Sequence, residues 1–219
     1  MKQLFLCFVV LGFVACSRVI PAGLQNSTDE PDARGNLVKA MQAMLDEKSY
    51  RARVESTTSS GTTSKTTIEF VAPDHFHLTR EATTPGHPAV KQETIVVGDD
   101  TWMKMGDAPW QKFPLNLGDT IKQFRNPEVI NEIAKSVDVK VVGTEVLEGT
   151  QTTIYQYTLS DPDHKDFKAS AKTWVGAGDG LPRKTESESD LNLNGKQIHT
   201  KSIISYYDYE ADIKIEQPH

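Results

Sequence analysis

The sequence predicts a mainly β protein of the α+β class, with a strongly curved antiparallel sheet, an unclosed half-barrel, wrapped around an N-terminal amphipathic helix and a mid-chain helical insert. About eleven short segments alternate apolar and polar residues, and one long helical segment precedes them. The short intervals between most segments favour antiparallel hairpins, because a parallel crossover needs a dozen or more residues. So many short strands must curl, since flat open edges are a liability.

Composition places the chain among ordinary globular proteins. Its 219 residues are enough for one large domain, and 37% are hydrophobic and 25% charged. The formal net charge is −6, and the sequence has no run of Lys or Arg. These features argue against a nucleic-acid partner, and we expect no cofactor.

The N-terminus has the pattern of an export signal. Residues 1–15 form a signal peptide with a short apolar run, and the sequence FVAC at 13–16 is similar to a bacterial lipobox. We therefore expect lipidation at Cys16, a flexible tether over 16–35, and a protein held on the extracytoplasmic side of the cell envelope. The alternatives are an ordinary signal peptide cut nearby or an uncleaved anchor. Because the other cysteine is Cys7, no internal disulfide is expected.

A single domain is predicted over residues 36–219, and it opens with a helix at 36–48. Asn36 is the expected N-cap. The apolar stripe of this helix includes two methionines, which fill irregular space better than branched side chains do. The stripe comprises Leu37, Met41, Met44 and Leu45.

The remainder predicts strands interrupted by a helical insert at 117–137. The period-two segments are 50–59, 65–72, 75–82, 90–98, 100–105, 110–113, 139–147, 152–160, 167–175, 181–189 and 196–215. In the segment 181–189, Thr185, Ser187 and Ser189 share the face opposite the acidic residues. A sheet that only needed a protein core would more often place Val or Ile there, so these small side chains leave room.

The hairpin GDDTWMKMGDAPWQKF (98–113) concentrates large apolar side chains near turns. Strand alternation puts Met103 and Met105 on one face and Trp102 on the other. We expect Met103, Met105 and Phe113 to point inward, although a bulge would reverse the assignment. Each tryptophan could equally be a core anchor.

The order of these features resembles a known family. A lipobox-like cysteine, an amphipathic helix, the D-T-W-M-K-M-G…W-Q-K hairpin, a helical insert and W-V-G-A-G-D-G-L-P-R-K-T-E (174–186) follow one another. The chain from about 36 to 215 resembles the LolA/LppX-like superfamily of periplasmic lipoprotein and lipid carriers, and within it the LppX/LprG-type lipoprotein branch.

This resemblance implies an apolar cavity for acyl chains and no catalytic residue. Exposing about fifteen methylenes to water costs on the order of 12 kcal/mol, so a lipid needs a carrier to cross an aqueous compartment. The expected partner is a lipid or an acylated lipoprotein, and the expected state is a monomer. Trp102 and Trp110 would lie at the rim of the cavity. The expected lining is Leu37, Met41, Met44, Leu45, Trp102, Met103, Met105, Trp110 and Phe113.

Two other classes of function remain open. The same sheet with a filled core would serve as a non-catalytic envelope sensor or scaffold. An envelope hydrolase would depend on His75 or His164, but the sequence carries no recognised catalytic motif. His75 and His77 have a spacing that a metal could use, yet no third ligand is predicted nearby, so no metal site is expected.

Overall fold

The computed structural model describes residues 32–135, 137–160, 168–193 and 196–218. The predicted signal peptide, Cys16 and His164 lie outside the described residues. Helices occur at α1 (Ala33–Asp46), α2 (Leu117–Phe124) and α3 (Pro127–Lys135). The strands are β1 (Ser49–Thr58), β2 (Thr63–Val71), β3 (His75–Thr83), β4 (Val90–Val97), β5 (Asp100–Met105), β6 (Gln111–Phe113), β7 (Asp138–Leu147), β8 (Thr150–Ser160), β9 (Lys168–Gly176), β10 (Pro182–Leu193) and β11 (Lys196–Tyr207).

All of these strands belong to one antiparallel sheet of 11 strands, in the order β6-β5-β4-β3-β2-β1-β11-β10-β9-β8-β7. Two series of hairpins meet where β1 pairs with β11. Strands β6 and β7 form the two edges, so the sheet stays open. The predicted fold class, an unclosed half-barrel with helices, is confirmed. Among the described residues, no helix is long and apolar enough to cross a bilayer.

The helices begin and end where side chains cap them. Helix α1 begins at Ala33 and not at Asn36, because the Asp32 carboxylate accepts a hydrogen bond of 2.8 Å from the backbone N–H of Gly35. Asn126 caps α3, since its side chain accepts a bond of 2.9 Å from the backbone N–H of Glu128. This cap divides the insert into α2 and α3.

The sequence pattern predicts a break in the last segment, 196–215, and strand β11 occupies only its first part. It ends at Tyr207 and not near residue 215. Asp208 and Glu210 adopt positive φ angles of 52° and 58°, which break a strand and which side chains other than glycine rarely adopt. The chain then turns back, and the Ser49 hydroxyl donates a bond of 2.6 Å to the carbonyl of Ala211.

The helices pack on one face of the sheet, here called the inner face. In β1 this face carries Tyr50, Ala52 and Val54, all buried. The register aligns Val54 with Thr66 on one side and Ile204 on the other, which extends the inner face across the sheet. The opposite, outer face carries most of the ion pairs.

The inner face holds two hydrophobic clusters. The seam cluster lies between α1, α3 and β7–β9 and comprises Ala33, Leu37, Ala40, Met41, Ile130, Val137, Tyr155, Tyr157, Ala171 and Val175. The aromatic cluster lies mainly on β1–β4 and comprises Tyr50, Ala52, Val54, Ile68, Phe70, Phe76, Val96, Ile121 and Ile204.

Candidate functional site

Helix α1 lies over the inner face and buries its apolar stripe there. Leu37 and Met41 are buried in the seam cluster, and Leu45 packs against it half-buried. Met44 packs against the aromatic cluster instead. The helix therefore touches both clusters through side chains spaced about one turn apart.

The α2–α3 insert completes the cover. Ile121 of α2 is buried in the aromatic cluster, and Ile130 of α3 is buried in the seam cluster beside α1. The polar side chains of Gln42 and Asn131 join α1 to α3 through a bond of 3.3 Å. Sequence reasoning had not placed Ile130 at the site, although its position in the apolar stripe of α3 was the available signal.

Arg125 connects the insert to the C-terminal end of α1. Its guanidinium donates to the backbone carbonyl of Leu45 and lies 4.1 Å above the ring of Phe70. Desolvation by burial lowers the pKa of Arg125, although its ordinary value is so high that the side chain stays charged. The last carbonyls of a helix lack intrahelical partners, so Arg125 satisfies a group that α1 leaves free.

A small apolar void remains in the seam under α1. Its volume is about 40 Å³, room for a few water molecules but not for an acyl chain. Residues from α1, α3, β7 and β8 surround it. They include Leu37, Met41, Ile130, Val139, Tyr157 and Leu159.

A larger open cleft flanks α1 on its other side. It has a volume of about 430 Å³, within the range of about 300–1,000 Å³ found for ligand sites. Small residues create the space, with Ala40 and Ala43 on the helix facing Gly176 and Ala177 at the end of β9. Lys39 and Asp179 make part of its rim polar.

Tyrosine side chains form the part of the inner face near the C-terminal end of α1. The ring of Tyr50 lies 5.1 Å from that of Phe70 and 6.0 Å from that of Tyr209. The Tyr209 hydroxyl donates a bond of 2.6 Å to the carbonyl of Pro182. Burial raises the pKa of Tyr50 to about 12, and burial also raises the pKa of Tyr206. These phenols stay neutral, so this part of the inner face carries no tyrosinate charge at physiological pH.

The predicted hairpin residues lie apart from both hollows. Met103 and Phe113 are half-buried on the inner face, and Met105 is 48% exposed. Trp102 lies on the outer face, where the Lys112 ammonium is 5.6 Å from its ring centre.

Trp110 makes a similar contact with Lys104, at 4.9 Å. Of the expected lining residues, Leu37 and Met41 border the void, and Leu45 and Met44 pack against the two clusters. The five residues of the β5–β6 hairpin belong to neither cluster and line neither hollow.

His75 and His77 lie on the outer face. His77 Nδ1 is 3.1 Å from Glu69 Oε2, and His75 Nδ1 is 3.2 Å from Asp74 Oδ1. Within the residues that the structure describes, no group of three or more His, Cys, Asp or Glu could hold a metal ion.

The architecture is that of the LolA/LppX-like proteins, as the sequence resemblance predicted. The fold is similar to that of the lipoprotein LppX from Mycobacterium tuberculosis, with a TM-score of 0.58 and 16% identity over 86% of this chain and 100% of LppX. At this identity the likeness shows the fold alone. No protein-family model and no curated protein sequence matches the chain.

Weaker similarities were found to two further crystal structures. The complex of MucA and MucB from Pseudomonas aeruginosa matches with a TM-score of 0.42 and 17% identity, over 83% of this chain and 59% of the matched chain. A LolA superfamily protein from Nitrosomonas europaea matches with a TM-score of 0.29 and 14% identity, over 85% of this chain and 94% of that one.

Proposed function

We propose that this protein is an exported, membrane-tethered lipoprotein that binds a lipid or the acyl chains of a lipoprotein under α1 and carries them across the cell envelope. It acts as a monomer, by binding and not by catalysis. The observation that carries the proposal is the seam under α1, where an apolar void of about 40 Å³ adjoins a cover built from separate helices.

The cover has the properties of a lid. Dispersion and hydrophobic contacts, which are non-directional, hold most of it to the sheet. The described polar contacts between α1 and the insert include the Gln42–Asn131 bond and the Arg125–Leu45 bond. When α1 moves away from the sheet, the void and the cleft of about 430 Å³ join, and the methionine side chains adapt to the entering chain.

Small inner-face side chains support the same function. Thr185, Ser187 and Ser189 of β10 face Thr173, Ala171 and Ala169 of β9 across the ladder. The predicted alternation of this segment is therefore present in the structure. These residues fill little volume, so an opened cover leaves space above them.

Organic extraction of the purified protein, followed by lipid mass spectrometry, tests the proposal. The Cys16→Ala variant, exported without acylation, avoids confusion with its own anchor. We expect a co-purifying lipid and saturable binding of a fluorescent fatty acid. Absence of both would contradict the proposal.

Tethering is tested with the same substitution. Cys16→Ala should move the protein from the membrane fraction to the soluble fraction, because a protein without acyl chains loses the hydrophobic attachment. The control is Ser17→Ala, which should remain membrane-bound. Unchanged membrane association of Cys16→Ala would indicate an uncleaved anchor.

A second candidate is the filled-core sensor or scaffold, which the small size of the void favours. Met41→Trp separates the two. A lid that can open should accept the larger side chain at a cost below about 1 kcal/mol, with weaker lipid binding. A filled core should lose about 1–3 kcal/mol through overpacking. The control is Ile68→Trp in the aromatic cluster, where overpacking is expected in either case.

A further inference from the structure

The inner face is almost free of charge. At its ladder positions the strands present hydroxyl, amide and apolar groups, while Glu, Asp and Lys alternate onto the outer face. Arg80 is the exception. Among the described side chains at ladder positions of this face, it alone is charged.

Among the residues that the structure describes, none forms an ion pair with Arg80. Its Nε atom is buried and makes no hydrogen bond to any described residue. Its neighbours across the ladder are Thr66 on β2 and Gln92 on β4, both uncharged. Arg80 as a whole is half-buried, and its buried Nε is a hydrogen-bond donor that no described residue satisfies.

The neighbours of Arg80 are suited to an anion. The Thr66 hydroxyl is also buried and makes no hydrogen bond within the described part of the chain, and directly opposed side chains lie about 5 Å apart. Gln92 continues the same row, with its amide donating a bond of 3.3 Å to Thr94. Guanidinium and hydroxyl donors on adjacent strands can bind phosphate or carboxylate oxygens together.

An apolar row runs beside this polar one. Two residues further along the same strands stand Ile68, Leu78 and, beyond Thr94, Met103. Leu78 and Met44 of α1 pack against the same aromatic cluster. Ile68 is fully buried beneath this row, whereas Leu78, Met103 and Met44 are each half-buried, so apolar surface continues from the Arg80 row towards the helix that covers the seam.

We propose that Arg80, with Thr66, binds the anionic headgroup of an amphiphile whose acyl chain follows the apolar row towards α1. The ligand class is thus a lipid with a phosphate or carboxylate group, and not a neutral lipid. This inference rests on the proposed function and makes it more specific.

The test compares a fluorescent fatty acid with its methyl ester on the full chain carrying Cys16→Ala. Arg80→Gln should weaken binding of the acid about tenfold, as loss of a charged hydrogen bond predicts, and leave the ester unchanged. Arg80→Lys should keep most of the affinity for the acid. The control, Arg53→Gln, removes an exposed outer-face arginine and should change neither affinity.

Three outcomes would overturn the inference in different ways. If wild type binds acid and ester and Arg80→Gln binds both equally well, the headgroup assignment is wrong and the proposed function stands. If no variant binds either probe, the proposed function itself fails. If inorganic phosphate binds through Arg80 while acid and ester bind equally, the site accepts a free anion and no headgroup. If Arg80→Gln does not fold, the affinities of Arg80→Lys for the acid and the ester are compared with those of wild type instead.

Discussion

The two clusters of the inner face differ in how completely they are filled. In the aromatic cluster the buried residues are 1–7% exposed, five of the nine are at most 2% exposed, and Phe70 contacts the rings of Tyr50 and Phe76 at 5.1 and 5.9 Å. In the seam cluster the buried residues are 2–8% exposed, only Ala40 is as low as 2%, and several of them border the apolar void.

This difference assigns separate roles to the two halves of the sheet. The aromatic cluster is built mainly by strands that neighbour each other, so its contacts persist whatever the helices do. The seam cluster depends on α1 and α3 as well as on strands. Under the proposed function, the first half stabilises the fold, and the second changes shape when α1 moves.

The largest expected effect comes from truncating each cluster once. Phe70→Ala should cost about 3–5 kcal/mol of unfolding free energy, because a fully packed site cannot collapse around the cavity. Met41→Ala should cost about 2 kcal/mol, the lower end of the range for such changes, because it borders existing space. Urea unfolding measures both. Equal losses would show that the two clusters are packed alike.

A smaller effect is expected at Arg125, which connects the insert to the C-terminal end of α1. Arg125→Met keeps the side-chain stem but leaves the Leu45 carbonyl without its charged donor, at a cost of about 1–3 kcal/mol. Amide hydrogen exchange should accelerate in α1 and remain slow in β1 and β2. Arg53→Met on the outer face is the matched control, with a change within about 0.5 kcal/mol. If amide hydrogen exchange in α1 did not change, Arg125 would not be the residue that holds α1 to the insert.

The smallest expected effect is a loss of stability at acidic pH, caused by two carboxylates on the outer face. Burial raises the pKa values of Glu69 and Glu93, but hydrogen bonds from Arg51 and His77 to the first, and from Lys104 and Lys91 to the second, lower both below the ordinary 4.5. The folded state therefore binds these protons less tightly than the unfolded state does. The resulting stability is present above pH 4.5 and is lost as the pH falls through the folded pKa values.

Urea midpoints measured at successive pH values check this expectation. Wild type should lose stability below pH 4.5, and Glu69→Gln should show a shallower loss because one of the two groups no longer titrates. The Asp107→Asn variant, changed in an exposed turn, serves as control. Parallel curves for wild type and Glu69→Gln would contradict the assignment.

Alternation and turn spacing made much of the sheet predictable from sequence. The inward Thr185, Ser187 and Ser189 follow from period two alone, and most strand limits fall within two residues of the structure. Helix α1 begins before its predicted start because Asp32 and Asn36 are both good N-caps, and the local sequence does not distinguish between them. The positive φ angles at Asp208 and Glu210 could not be predicted, because neither position is a glycine, the residue that usually indicates such a conformation.

The site itself was less predictable. The apolar stripe identified Leu37 and Met41, but the two hollows depend on how far α1 stands from the sheet, which no local pattern records. Arg125 and Arg80 looked like ordinary surface arginines in the sequence. Their burial arises from tertiary packing and from strand parity across four neighbouring strands.

The pairing of β1 with β11 has a consequence for how the protein is made. The centre of the sheet joins strands that are about as distant in sequence as the domain allows, with Arg51 opposite Tyr207. A chain synthesised from its N-terminus therefore cannot finish its sheet until nearly all of it has been made. Until then the edge of β1 that pairs with β11 stays exposed and can pair with strands of other chains.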